Sequence, residues 1–236
     1  MEAILDPHFG PVKYIIAIFS SASFLSPRAR GVAWRQDCVL CLAGTGSLVC
    51  AACESDLGAD GPRADRRPAA FDEAIARFEY RFPLDRLVQR FKYGGDLAIG
   101  RWLAERLAER VRDAQRPDLL VVPPLGAARL RERGFNQALE IARTVGRSLG
   151  VPVDARAVAR RRDTPPQARL GRRARAANLR GAFACGTALR DRRVAIVDDV
   201  LTTGATADAI ARVVKAAGAG RVSVWAVARA PDPGGR

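Results

Sequence analysis

The sequence predicts an α/β protein, a parallel sheet with helices on both faces, placed behind a small cysteine-bearing module. Two observations carry this. Strand-like apolar runs alternate with helix-period segments from residue 71 to 230, the pattern of repeated strand–helix units in a parallel sheet. Ahead of them, Cys38, Cys41, Cys50 and Cys53 form C-x2-C-x8-C-x2-C, two knuckles able to converge on one ion. At 236 residues the chain can build one good core plus a small extra module, on a scale of ~100–200 residues per domain. The expected boundaries are a poorly ordered leader over 1–33, the cysteine module over 34–60, a linker over 61–70, the main domain over 71–230 and a tail over 231–236.

The leader contains YIIAIFSSASFLS (14–26), whose apolar run is broken by four serines and falls short of the ~18 apolar residues a membrane helix requires. Lys13 before it leaves a weak signal-like segment as an alternative. No small-residue cleavage site followed by a disulfide-style cysteine pattern comes after it, so a plain leader or an upstream start site is the preferred reading. In the module, four soft thiolates in a tetrahedron suit zinc, and glycines at 44 and 46 permit a tight return between the knuckles. Two disulfides compete with this reading, disfavoured because nothing else marks the chain as secreted. Four thiolates leave no open position for substrate, so the expected role is structural. ESDLGADGPRADRRP (54–68) reads as the linker.

In the main domain, PLDRLVQRFKY (83–93) and LAIGRWLAERLAERVRD (97–113) carry helical apolar spacing, with Asp96 as N-cap of the second. DLLVVP (118–123) is a short buried strand stopped by two prolines, and GFNQALEIARTVGRSLG (134–150) a helix ended by Gly150. A strand over 155–160 and a basic helix over 166–181 follow, and Cys185 in GAFAC reads as a buried strand residue. RRVAIVDDV is a strand, 204–220 a helix and RVSVWAVAR (221–229) the next strand. His8, the only histidine, is assigned no role.

The net charge is +14, and only three of the 39 basic residues are lysine. Between Ala127 and Arg180, fourteen arginines face four acidic residues. Such a concentration predicts an anionic partner, whether phosphate, nucleic acid or acidic lipid; a solvated arginine-rich surface is the competing reading.

RVAIVDDVLTTGAT (193–206) combines an apolar strand, an acid pair and a Gly/Thr turn. The strand delivers Asp198 and Asp199 to its carboxyl end, where ligands bind in parallel sheets. The turn opens a helix, offering free backbone N–H groups and hydroxyls to an anion. Carboxylates repel phosphate, so the two parts suit different portions of one ligand, and a sugar phosphate satisfies both. The bare pattern is equally compatible with a strand that ends in two aspartates before an N-capped helix.

This stretch resembles the phosphoribosyl pyrophosphate (PRPP) signature of type I phosphoribosyltransferases. The resemblance implies that Asp198 and Asp199 hold the ribose 2′ and 3′ hydroxyls while Thr202, Thr203, Gly204, Ala205 and Thr206 cradle the 5′-phosphate. Three further stretches, YRFPLDRLVQRFKYGGD (80–96), VVPPLGAARLRERGFNQALEIA (121–142) and RDTPPQARLGRRARAANLRGAF (162–183), together with the four cysteines, resemble the ComF family over residues 34–230. That resemblance implies a type I phosphoribosyltransferase fold with an N-terminal zinc-ribbon-like module, Mg²⁺ bound with PRPP, a cytoplasmic or peripheral inner-membrane location, and a link to DNA uptake in natural transformation. It places pyrophosphate on Lys92, Tyr93, Gly94 and Gly95, with glycine allowing close approach of N–H groups, although Gly94 and Gly126 stand where the family often carries a basic or histidine residue. Arg129, Arg131 and Arg133, with Arg172, Arg173 and Arg175, form a patch for pyrophosphate or a nucleic-acid backbone. Gln167, Leu170, Arg175 and Asn178 suggest an active-site cover, with ordinary surface and capping chemistry as the alternative.

As an enzyme, the protein would displace pyrophosphate from ribose C1 by positioning and charge stabilisation, with no protein nucleophile. The rival reading is a non-catalytic component of DNA uptake that binds single-stranded DNA or acts as an adaptor. Against stacking of a strand stands an aromatic content of 6%, with Phe135 and Phe183 the aromatics in or beside the arginine segment. A helicase docked on the zinc module is a partner implied by the family alone.

Overall fold

A computed structural model describes residues 36–58, 69–162 and 179–231. They lie within one compact unit that begins at Arg35. The leader, most of the expected linker, the segment 163–178 and the tail after 231 lie outside the described residues.

The cysteine module consists of β1 (Gln36–Asp37) paired antiparallel with β2 (Gly44–Thr45), followed by α1 (Ala51–Leu57). Then come β3 (Glu73–Glu79), α2 (Leu84–Gly94), α3 (Leu97–Arg110), β4 (Leu119–Val121), α4 (Ala127–Arg133) and α5 (Gln137–Leu149). β5 (Val153–Asp154), β6 (Val158–Arg160), β7 (Phe183–Cys185), β8 (Arg193–Leu201), α6 (Ala205–Ala216) and β9 (Arg221–Arg229) complete the chain. No helix among the described residues is long and apolar enough to cross a membrane.

Five strands form one parallel sheet in the order β3-β9-β8-β4-β5, and β6 and β7 form a separate antiparallel pair. Period-two alternation divides each central strand between two cores. Ala195 and Val197 of β8 face the core lined by α2, α3 and α5, whereas Val194 and Ile196 face the one lined by α6, β6 and β7. The cysteine module packs into the first of these, with Cys38, Val49 and Leu57 buried beside the α3 side chains. Sharing a core with the sheet, it is not a bead on a linker.

Strand β3 was not legible in the sequence. In EAIARFE every second residue is buried, but two of the three inward residues are alanine, so the apolar signal is weak. Tertiary anchors register it at the sheet edge. Asp72 accepts from Lys215 Nζ and from the Val222 N–H, each at 2.7 Å, and its own N–H donates to the Val222 carbonyl at 2.7 Å.

Gly100 lets α3 close on α2. A Cβ there would meet Phe91 Cδ2 and Cζ at 2.7 and 2.8 Å, with Cε2 closer still, and Phe91 is fully buried. Gly100→Ala is therefore expected to destabilise the fold by about 1–3 kcal/mol through overpacking, despite the higher helix propensity of alanine. Urea denaturation would register this as a lower midpoint at unchanged slope.

Candidate functional site

The sheet order creates one crevice. From β4 the chain crosses by α5 to β5 over one face, and from β8 it crosses by α6 to β9 over the other. Adjacent β4 and β8 therefore send their connections apart at their carboxyl ends, the switch point where open α/β sheets bind ligands. The loop after β4 is held there by Asn136, the N-cap of α5, whose Nδ2 donates to the Pro123 carbonyl at 3.0 Å.

Strand β8 continues two residues past the acid pair to Leu201, so Asp198 and Asp199 sit in its final stretch and not at its end. Neither is freely solvated. Asp198 keeps little exposure, and withdrawal of its carboxyl from water, reinforced by the charge of Asp199, pushes its pKa up to about 7. The Asp199 N–H donates to Asp198 Oδ1 at 2.8 Å and Lys92 lies nearby, and both oppose the rise. Lys92 Nζ sits 3.0 Å from Asp199 Oδ2, with side-chain exposures of 18% and 15%, shielded enough for the pairing to count.

After Leu201 the chain turns through Thr202, Thr203 and Gly204 into α6. Gly204 is the N-cap at φ 74°, a conformation that disfavours any side chain. The first helical bond runs from the Asp208 N–H to the Gly204 carbonyl at 2.8 Å. The N–H groups of Ala205, Thr206 and Ala207 precede it and have no carbonyl one turn back, although Ala205 reaches Thr203 Oγ1 at 3.4 Å. Five predicted residues thus form one positively polarised turn beside the acid pair.

Lys92, Tyr93 and Gly94 do not form the expected glycine loop. They are the last turn of α2, with Gly95 at φ 64° as C-cap, so their N–H groups serve the helix. What they bring to the crevice is the Lys92 ammonium. Helical spacing in the sequence runs to Tyr93 and the loop is implied by the family resemblance alone; the helix extends one residue further, through Gly94.

The four cysteine sulfurs lie within 4.8 Å of one another, and Cys41 Sγ and Cys50 Sγ are 3.7 Å apart. All four are free thiols. A tetrahedral ion with sulfur at about 2.3 Å requires sulfur separations of about 3.8 Å, so the donor set fits a metal such as zinc. Burial pushes the Cys38 thiol up, but hydrogen bonds, chiefly from the Cys50 N–H at 3.3 Å, outweigh it and bring its pKa down to about 6. Cys53 is raised by its hydrogen bond to Cys41 and by burial, as expected when thiols crowd together with no cation between them.

No protein-family model matches the chain. Competence protein F of Haemophilus influenzae is 34% identical over 174 residues, 70% of this chain and 76% of that protein. The chain belongs to the competence protein F (ComF) family. Within that similarity, DNA utilization protein YhgH of Escherichia coli K12 is 34% identical over 173 residues, 71% of this chain and 76% of that one. An adenine phosphoribosyltransferase of Mycobacteroides abscessus is 53% identical over 51 residues, 22% of this chain and 29% of that one. Among solved structures, a purine phosphoribosyltransferase from Pyrococcus horikoshii matches 56% of this chain and 74% of its own at 22% identity, with a TM-score of 0.35.

In this ComF member the arginine-rich segment is continuous in sequence but not in space. Arg129, Arg131 and Arg133 lie on α4 and Arg143 and Arg147 on α5, which lines one core, while Arg160 belongs to the β6–β7 pair on the other. Arg172, Arg173 and Arg175 lie outside the described residues, as do Gln167, Leu170 and Asn178. Arg133 joins α4 to the start of α5 and the end of α2. Its Nη1 donates to Gln137 Oε1 at 3.1 Å and its Nη2 to Tyr93 Oη at 3.3 Å. Gln137, 1% exposed, donates in turn to the Lys92 carbonyl at 3.4 Å. Sequence reading had given Gln137 no role beyond a helix start. The available signal was a lone amide on the same helical stripe as Ile141 and Val145, both fully buried.

Proposed function

We propose that the crevice binds PRPP, with the ribose hydroxyls on Asp198 and Asp199 and the 5′-phosphate on the turn from Thr202 to Thr206. The observation that carries this reading is the juxtaposition of an enclosed acid pair and the α6 N-terminal turn on one strand end at the switch point. Without ligand, Lys92 neutralises Asp199. With ligand, ribose hydroxyls replace that ammonium as donors and Lys92 turns to the pyrophosphate, a charge-assisted contact. Mg²⁺ bound with PRPP would be held beside Asp198 and Asp199 and would supply charge neutralisation for the departing pyrophosphate. The local similarity to an adenine phosphoribosyltransferase supports transfer of the phosphoribosyl group to an acceptor with release of pyrophosphate. The names of the relatives, competence protein F and DNA utilization protein, support a role in DNA uptake. The four cysteines hold one structural zinc ion in this reading.

A second reading, a DNA-binding component without catalysis, is favoured by the exposed Arg129 and Arg131 on α4. Phosphate contacts of that kind would make affinity fall steeply with salt.

Calorimetric titration with Mg²⁺ and PRPP tests the first reading. The wild-type protein is expected to bind, and Lys92→Met to bind about 10- to 100-fold more weakly, the worth of one charged hydrogen bond. Absence of binding to the wild-type protein would remove the proposed site.

A further inference from the structure

Gln137 opens α5 with its side chain buried, and a buried amide costs free energy unless both of its ends find partners. Here both do, and the partners differ in kind. Its Oε1 accepts from Arg133 Nη1 at 3.1 Å, and its Nε2 donates to the Lys92 carbonyl at 3.4 Å. That carbonyl belongs to the last turn of α2, where helix carbonyls run out of partners. The N–H of Asp96, four residues on, turns back to the Arg90 carbonyl instead, at 3.5 Å. A guanidinium only donates and a carbonyl only accepts, so the amide has one orientation, and any side chain that bridges the two must carry one donor and one acceptor. Glutamine does; glutamate, with two acceptors, does not.

The bridge is fixed at its far end. The Arg133 guanidinium lies 5.0 Å from the ring centroid of the exposed Tyr93, and its Nη2 donates to the phenolic oxygen at 3.3 Å. At its near end, the residue whose carbonyl Gln137 holds is the one whose ammonium stands 3.0 Å from Asp199 Oδ2. Just ahead of α5, Phe135 packs on Phe91 with ring centroids 5.5 Å apart, an apolar anchor that keeps α2 in place without the amide. What the amide adds is restraint on the helix end beyond Phe91.

We propose that Gln137 is a positioning residue: by bridging Arg133 and the Lys92 carbonyl it fixes the end of α2, and with it the Lys92 ammonium at Asp199. A lysine stem is long and flexible, so a fixed backbone origin lowers the freedom lost when its ammonium pairs or meets a ligand. The consequence for PRPP rests on the sugar-phosphate reading of the crevice; the placement of Lys92 does not.

The chain has three lysines, Lys13, Lys92 and Lys215, so acetylation of the full, ligand-free protein by an activated ester can be followed at each by peptide mass spectrometry. An ammonium held by a carboxylate reacts slowly, because acylation needs the free amine. Lys215, paired with Asp72 at 2.7 Å, is the internal reference. Gln137→Met is expected to raise the rate at Lys92 by about 2- to 10-fold, the worth of one hydrogen bond, with Lys215 unchanged. Gln137→Glu should raise it as well, since it keeps the acceptor for Arg133 but loses the donor to the carbonyl. Lys92 rates that do not differ from wild type in either variant, or a rise confined to Gln137→Met, overturn the bridge. A parallel rise at Lys215 marks general loosening and overturns it too.

Calorimetry with PRPP adds a double-mutant cycle. Gln137→Met should weaken binding by a similar factor in the wild-type background and have no effect once Lys92→Met is present, because Gln137 acts through Lys92. Equal losses in both backgrounds overturn the positioning role. If the wild-type protein binds no PRPP, the sugar-phosphate reading falls and the acetylation rates alone decide the placement of Lys92.

Discussion

Replacing Asp198 and Asp199 together by asparagine is expected to lower PRPP affinity by more than about 100-fold, two charge-assisted contacts to the ribose being lost. The Asp198→Asn change alone should make the folded protein more stable above neutral pH. The sign follows from proton binding. Asp198 has its pKa raised from an ordinary value of 3.8 to about 7, so between these values the folded chain holds more protons than the unfolded one. Stability then falls as pH rises through that window, and above pH 7 the wild-type protein carries the full penalty. Three pKa units correspond to an upper bound of about 4 kcal/mol. Asparagine removes the charge and hence the penalty. Urea denaturation should therefore find the variant and the wild-type protein alike near pH 4, with the variant more stable by a few kcal/mol at pH 8. Equal stabilities at both pH values would show that Asp198 is not desolvated. Loss of binding with gain in stability marks a residue retained for its ligand and not for the fold.

Removal of the metal is expected to unfold the cysteine module and destabilise the sheet domain with it. Cys38, Val49 and Leu57 contribute directly to the core that contains Trp102, Leu103 and Phe78. Glu54, adjacent to Cys53, is 3.3 Å from Arg106 on α3 and 3.8 Å from Arg77 on β3. A short module with two two-residue strands and a seven-residue helix has too little core of its own to persist without its ion. Zinc-finger peptides gain about 10–16 kcal/mol from their ion, and transmission of even a few kcal/mol would lower the melting temperature of a chain this size by about 10 °C. Metal analysis should find one zinc per chain, and scanning calorimetry with and without a strong chelator should show the shift. A metal-free protein with two disulfides and an unchanged transition would refute it.

Strong local signals carried the sequence reading. RVSVWAVAR is β9 at the predicted bounds, Asp96 caps α3 by accepting from the Ile99 N–H at 3.2 Å, and Gly150 ends α5 in the left-handed conformation. In each case a run of residues or a single cap decides the backbone locally, so no partner need be known. The acid pair, the Gly/Thr turn and the paired knuckles were equally legible, because their chemistry lies in residue type and spacing.

Other features were decided by contact. Strand β3 exists because β9 and Asp72 offer it an edge; its alternating alanines would not announce it. Lys92 reaches Asp199 across more than a hundred residues of chain, and this pairing follows from the packing of α2 on the core, not from anything within FKYGG. The same holds for Gln137, whose amide has partners only because α4, α5 and the end of α2 meet. The division of the arginine segment between opposite faces of the sheet likewise follows from topology, which sends α5 and the β6–β7 pair to different sides. By itself the sequence determined the alternation of strands and helices over most of the main domain, the four-cysteine cluster and the acid pair, because periodicity, capping and ligand spacing act over a few residues. Only the tertiary structure decided which charges are enclosed and which ring is held open, because desolvation and long-range pairing exist only once the chain has packed.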